Sequence, residues 1–138
     1  MDNAVIPEDI RRFVLTSIPS VPFLEALLLM RAAPEQPWSR DSLARRLYVR
    51  DKIADGLLAE LCRAGMAAPW SGPRSGPDNG AGADAYSYRP REDALRERID
   101  RLADLYAAHL VEVTHLIHSS MDRKAHQFAD AFKWRKDS

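Results

Sequence analysis

Cys62 is the only cysteine among the 138 residues, so the chain can close no internal disulfide and build no zinc knuckle. Long apolar runs are missing too. The longest, Ala26 to Met30, suits a helix core and falls far short of the ~18–20 residues that a membrane span needs. The start, Met1-Asp2-Asn3-Ala4, lacks the basic residues and apolar stretch of a signal peptide. These absences together predict a cytoplasmic protein in a reducing setting, with no membrane partner. An excess of one charge is also lacking: 20 Lys and Arg stand against 20 Asp and Glu. Residues 1–70 carry nine of each sign, residues 71–118 six basic against eight acidic, and residues 119–138 five against three. A strong general attraction for polyanions is therefore excluded, because phosphate binding scales with the cations that neutralise it. No glycine-rich phosphate loop, nucleophile signature or His-Glu-x-x-His is present, so no catalytic residue, metal or cofactor is expected, and the chain does not read as an enzyme.

What is present is a succession of short amphipathic segments. Pro7 suits a first helical turn, and Glu8 and Asp9 complement the positive end of a helix carrying Ile10, Phe13, Val14 and Ile18. A second helix is predicted from Ser20, with Pro22 in its first turn and Leu24, Leu27 and Leu28 inward, until Pro34 stops it. Ser39 is a suitable N-cap for a third, Arg40 to about Tyr48, with Leu43, Ala44 and Leu47 facing inward. After a turn at Val49-Arg50, Ala54, Leu57, Leu58 and Leu61 stripe a fourth helix that runs through Arg63 and stops at Gly65. Met66 to Trp70 and the alternation around Tyr86 and Tyr88 read as strands. Between them, residues 71–84 hold four glycines and two prolines, the composition of a mobile loop.

From Arg91 to about His118 no residue breaks a helix. Leu95, Ile99, Leu102, Tyr106, Leu110, Val113 and Ile117 recur at spacings of 4, 3, 4, 4, 3 and 4, a nearly continuous apolar seam. A helix of ~28 residues would span ~42 Å, longer than a small domain covers. These seven residues are thus expected to form a homodimer interface.

The most informative stretch is Leu43-Ala44-Arg45-Arg46-Leu47, Val49, Ala54, Leu57-Leu58, Leu61 and Gly65-Met66. Two short helices share one apolar cluster across a tight turn, and the second ends in glycine before a strand. That is helix-turn-helix spacing, with the loop at 71–84 as a wing. Residues 39–89 resemble the winged-helix transcriptional regulators, in the broad sense that covers MarR-like and PadR-like groups. The resemblance implies a mainly α fold with a small β-wing, a long C-terminal dimerisation helix, and a recognition helix at about residues 50–63 that enters the major groove of double-stranded DNA. The expected division is a winged-helix domain over 1–90, a dimerisation helix over 91–118 and a basic, aromatic tail over 119–138. Arg40, Arg45, Arg46, Arg50, Lys52 and, on the wing, Arg74 are the candidate DNA contacts. Two features depart from the pattern. Asp51 and Asp55 would repel phosphate, and Gly56 offers a base no side chain. The competing function is therefore a winged-helix interaction module without sequence-specific DNA binding, and a small-molecule effector or protein partner stays open beside DNA.

Four other groups have a duller alternative. Glu112 and His115 have the Glu-x-x-His spacing of carboxylate-bridged metal bundles, but no second such motif faces them, so His109, His115 and His118 read as histidines flanking the seam. Cys62 reads as a packed thiol, since Arg63 beside it points away on a helix. Trp38, Trp70, Tyr86 and Tyr88 suit wing-root packing or a ligand pocket. Phe128, Phe132 and Trp134, amid lysine and arginine, suit either a docking segment or a last amphipathic turn.

Overall fold

The computed structural model describes residues 5–72 and 84–122. In chain order the elements are α1 (Glu8–Ser17), α2 (Val21–Ala32), α3 (Arg40–Leu47), α4 (Asp51–Arg63), β1 (Ala67–Pro69), β2 (Tyr86–Tyr88) and α5 (Asp93–Ala108). A further helix, α6, occupies 110–122. The fold is mainly α, with a helix-turn-helix followed by a two-stranded antiparallel wing. Among the described residues the chain forms two compact units: one falls within Pro22–Glu97, and the other joins α1 to residues 98–122.

In the unit of residues 22–97, Phe23, Leu24, Leu27, Met30, Leu43, Leu58, Leu61 and Met66 are all fully buried. Burial of this kind contributes about 1.5–3 kcal/mol for each large apolar side chain and holds the short helices that propensity alone would not. Ser39 closes α3 with a capping box: its hydroxyl accepts from the Ser42 amide at 3.1 Å, and the Ser42 hydroxyl accepts from the Ser39 amide at 2.8 Å. Gly65 ends α4 at φ +76°, where a side chain would be strained. Its carbonyl then accepts from the Arg91 amide at 2.8 Å, and the Met66 carbonyl from the Arg89 amide at 2.9 Å. With Arg91 so engaged, α5 begins at Asp93 rather than at Arg91.

β1 pairs with β2 in the register Ala67–Tyr88, Ala68–Ser87 and Pro69–Tyr86. On the other side of β2, Trp38 and Tyr86 exchange two 2.8 Å backbone hydrogen bonds, so the connector before α3 adds an isolated bridge to the sheet. β1 therefore lies at an edge, which is where a proline lacking an amide donor is tolerated. The expected wing loop falls mainly on residues 73–83, which lie outside the described residues, as does the tail beyond residue 122.

In the other unit, Ile10, Phe13, Val14 and Ile18 are buried, as are Ile99, Leu102, Tyr106, Val113, Leu116 and Ile117. Arg101 makes a two-point ion pair with Asp9 of α1, at 2.5 and 3.1 Å. Two expectations are corrected here. The long helix is not continuous: helical structure stops at Ala108 and resumes at 110, although nothing in Ala107-Ala108-His109-Leu110 predisposes to a break. The apolar seam also does not need a second chain to leave water. Ile99, Leu102, Val113 and Ile117 are each 0% exposed within the single chain, so these four leave water without a second copy. Leu110, by contrast, is 52% exposed, and Leu95 lies between the two classes.

Candidate nucleic-acid interface

The helix-turn-helix is held from inside. Leu43 and Ala44 of α3 and Ala54, Leu57, Leu58 and Leu61 of α4 are buried, as their spacing predicts. The turn between the helices is set by backbone. Tyr48 adopts the left-handed conformation (φ 57°, ψ 45°), and the Val49 amide donates to the Ala44 carbonyl at 3.1 Å. Arg50 is the N-cap of α4, where its carbonyl accepts from the amides of Ile53 and Ala54 at 3.0 and 3.1 Å.

With that stripe inward, helical geometry turns Lys52, Gly56, Ala59 and Arg63 outward as one ridge, and all four are exposed. A Cβ built on Gly56 would meet nothing within 4 Å, so packing does not require the glycine. Asp51 and Asp55 flank the ridge on one side and Ile53, 48% exposed, on the other.

The six candidate contacts fall into three groups. Arg45, Arg50 and Lys52 are exposed, and no ion pair among the described residues engages them. Arg40 and Arg46 are exposed but partnered. Arg40 Nε donates to Asp41 at 3.2 Å, and that bond, with the fields of Asp41, Asp51 and Asp55, holds the proton on its guanidinium more tightly than usual. The Arg46 guanidinium lies 5.9 Å from the ring centroid of Trp38, within cation–π reach. Arg74 lies outside the described residues. The helix-turn-helix thus brings Arg45, Arg46, Arg50 and Lys52 onto one end of α3 and the start of α4, while Arg40 is drawn toward carboxylates.

The aromatic residues serve the sheet. Trp38 is 1% exposed and Tyr88 7%, with the Arg96 guanidinium 5.6 Å from the Tyr88 ring centroid. Burial, then the charges of Asp84, Cys62 and Asp55, raise the pKa of Tyr86. Cys62 is half-buried, and desolvation pushes its thiol up, away from the low pKa that a reactive cysteine needs. His109 Nδ1 lies 3.9 Å from Glu112, and no three His, Cys, Asp or Glu side chains gather as a metal site among the described residues.

Tyr48 and Ile53 were not legible as surface features from periodicity of the buried stripe. Tyr48 is 94% exposed at the turn. The available signal was that an isoleucine at position 53 falls off the 54, 57, 58, 61 stripe, an apolar residue with no inward place.

No family model matches the chain, and no curated protein matches it. Among solved structures, it is similar over 91% of its length to MepR, as a point mutant from a multidrug-resistant S. aureus clinical isolate, at 9% identity, a TM-score of 0.49 and 91% of that chain. It is similar over the same share of its length to a MarR family transcription regulator, at 22% identity, a TM-score of 0.49 and 82% of that chain.

Proposed function

We propose that the protein is a winged-helix transcriptional regulator that binds double-stranded DNA through α4 and acts as a homodimer. The observation that carries this reading is the geometry of the helix-turn-helix. α4 buries one stripe and turns its opposite ridge to solvent, with Arg45, Arg46, Arg50 and Lys52 exposed around its N-terminal end. A helix so held can enter a major groove while cations at its start meet phosphates. For the homodimer, the exposed Leu110, Val111 and Met121 of α6 offer the apolar surface that the buried part of the seam no longer does. In this reading the protein is not an enzyme and needs no cofactor.

One observation favours a second reading, a winged-helix adaptor that binds protein. Three carboxylates, Asp41, Asp51 and Asp55, act on Arg40 and weaken the positive field across the motif. The two are separated by titrating the purified protein against a labelled mixed-sequence duplex at low salt, where phosphate attraction is greatest. The regulator binds, Arg50→Ala and Lys52→Ala each weaken it, and Asp55→Ala strengthens it. Absence of binding by the wild type under those conditions selects the adaptor.

A further inference from the structure

Two side chains of the helix-turn-helix are placed at a disadvantage that the fold does not explain. Tyr48 holds a bulky aromatic residue at φ 57° and leaves it 94% exposed. The left-handed conformation is unfavourable for a residue with a Cβ, and glycine or asparagine would make the same turn with less strain. No burial of the ring offsets it. Ile53, in the first turn of α4, is 48% exposed and lies off the buried stripe. From residue 45 to residue 53 the chain has four cations, Arg45, Arg46, Arg50 and Lys52, and one carboxylate, Asp51. All five are exposed. The two apolar side chains are therefore set among cations, a surface that matches a polyanion carrying apolar groups of its own.

We propose, resting on the DNA-binding reading above, that Tyr48 and Ile53 are specificity-determining residues that contact thymine C5-methyl groups in the major groove. Among the four base pairs only those with thymine present a methyl group there, and the code is otherwise carried by hydrogen-bond donors and acceptors. Ile53 can offer no hydrogen bond, so methyl contact is the one base discrimination open to it. The N-terminal residues of the second helix are the part of such a motif that reaches base edges; Ile53 lies there and Tyr48 stands just ahead of it, while the surrounding cations fix position through phosphates without selecting sequence. The preferred sites are accordingly rich in A·T pairs.

The test compares an alternating dA-dT duplex with a dA-dU duplex of the same length, which lacks only the methyl groups. Wild type, Ile53→Ala and Tyr48→Asn are titrated against both at low salt by fluorescence anisotropy. Circular dichroism melting checks that each variant is folded, and asparagine keeps the left-handed turn accessible. Wild type should prefer the thymine duplex by about fourfold for each methyl it buries. That preference should fall toward unity in each variant while affinity for the dA-dU duplex stays near wild type. Equal affinity of the wild type for the two duplexes overturns the proposal and leaves DNA binding standing. A preference that survives unchanged in both variants also overturns it. Failure of the wild type to bind either of these or a mixed-sequence duplex overturns the regulator reading as well, and assigns the apolar pair to a protein partner.

Discussion

Leu102 and Leu110 belong to one apolar seam in the sequence, yet truncating them should have very different consequences. Leu102 is 0% exposed within the chain, so Leu102→Ala removes a fully packed side chain and leaves a cavity behind it. Substitutions of this kind cost about 2–5 kcal/mol. For a chain of this size, the melting midpoint moves roughly 3–6 °C per kcal/mol, so a fall of about 6–30 °C is expected. Leu110 is 52% exposed, and Leu110→Ala should cost a single chain no more than about 1 kcal/mol. Melting followed by circular dichroism over a hundredfold range of protein concentration separates the two roles. The loss at Leu102 belongs to the single chain and should appear at every concentration. If Leu110 packs against a second copy, the wild-type midpoint rises with concentration and Leu110→Ala flattens that rise. A loss at Leu102 below about 1 kcal/mol would refute the intramolecular core, since no fully packed leucine is so cheap to truncate.

Further tests reach the rest of the structure. Gly65→Ala forces a side chain into φ +76° and brings its Cβ within 3.2 Å of Arg91 Nε, so urea denaturation should show a loss of about 1–2 kcal/mol. Gly56→Ala in the same helix meets nothing within 4 Å and should instead stabilise by up to about 1 kcal/mol. The hydrogen bond from Arg101, then its charge, lower the Asp9 pKa, so this ion pair stabilises the fold above the unfolded carboxyl value and is lost as pH falls through the lowered folded one. Urea midpoints of wild type and Asp9→Asn should accordingly differ near neutrality and converge as the solution is made strongly acidic. The half-buried Cys62 thiol, pushed up by desolvation, should be alkylated by iodoacetamide at pH 8 more slowly than a free peptide cysteine, and urea should remove the difference.

The helix-turn-helix was legible because its signals are local. Ser39 caps, the 43, 44, 54, 57, 58, 61 stripe fixes which faces meet, and Gly65 supplies the positive φ that ends α4. Each works within one or two turns of its own helix. What escaped depends on partners distant in sequence. Trp38 sits in a proline-rich connector with no strand pattern around it, and only its pairing with Tyr86 makes it part of a sheet. The apolar seam shows that a face will be buried but not by what; α1, nearly ninety residues earlier, is tied to α5 by the Asp9–Arg101 pair. The break at His109 has no breaker residue to mark it. At the site, residue type identified the cations, but not that Asp41 engages Arg40 or that Arg46 lies over Trp38.

The proposed DNA contact runs through a few exposed cations around the start of α4. The most direct measurement is the slope of log affinity against log salt for a mixed-sequence duplex, taken on wild type and on the Arg50→Ala, Lys52→Ala double variant. A slope near −0.9 is expected for each phosphate neutralised. The wild type should show a shallow but definite slope, because the chain has no general basic surplus. The double variant should lose about two phosphates' worth per subunit. A slope that does not change on removing both side chains, or no binding at the lowest salt, would show that Arg50 and Lys52 do not meet DNA phosphates.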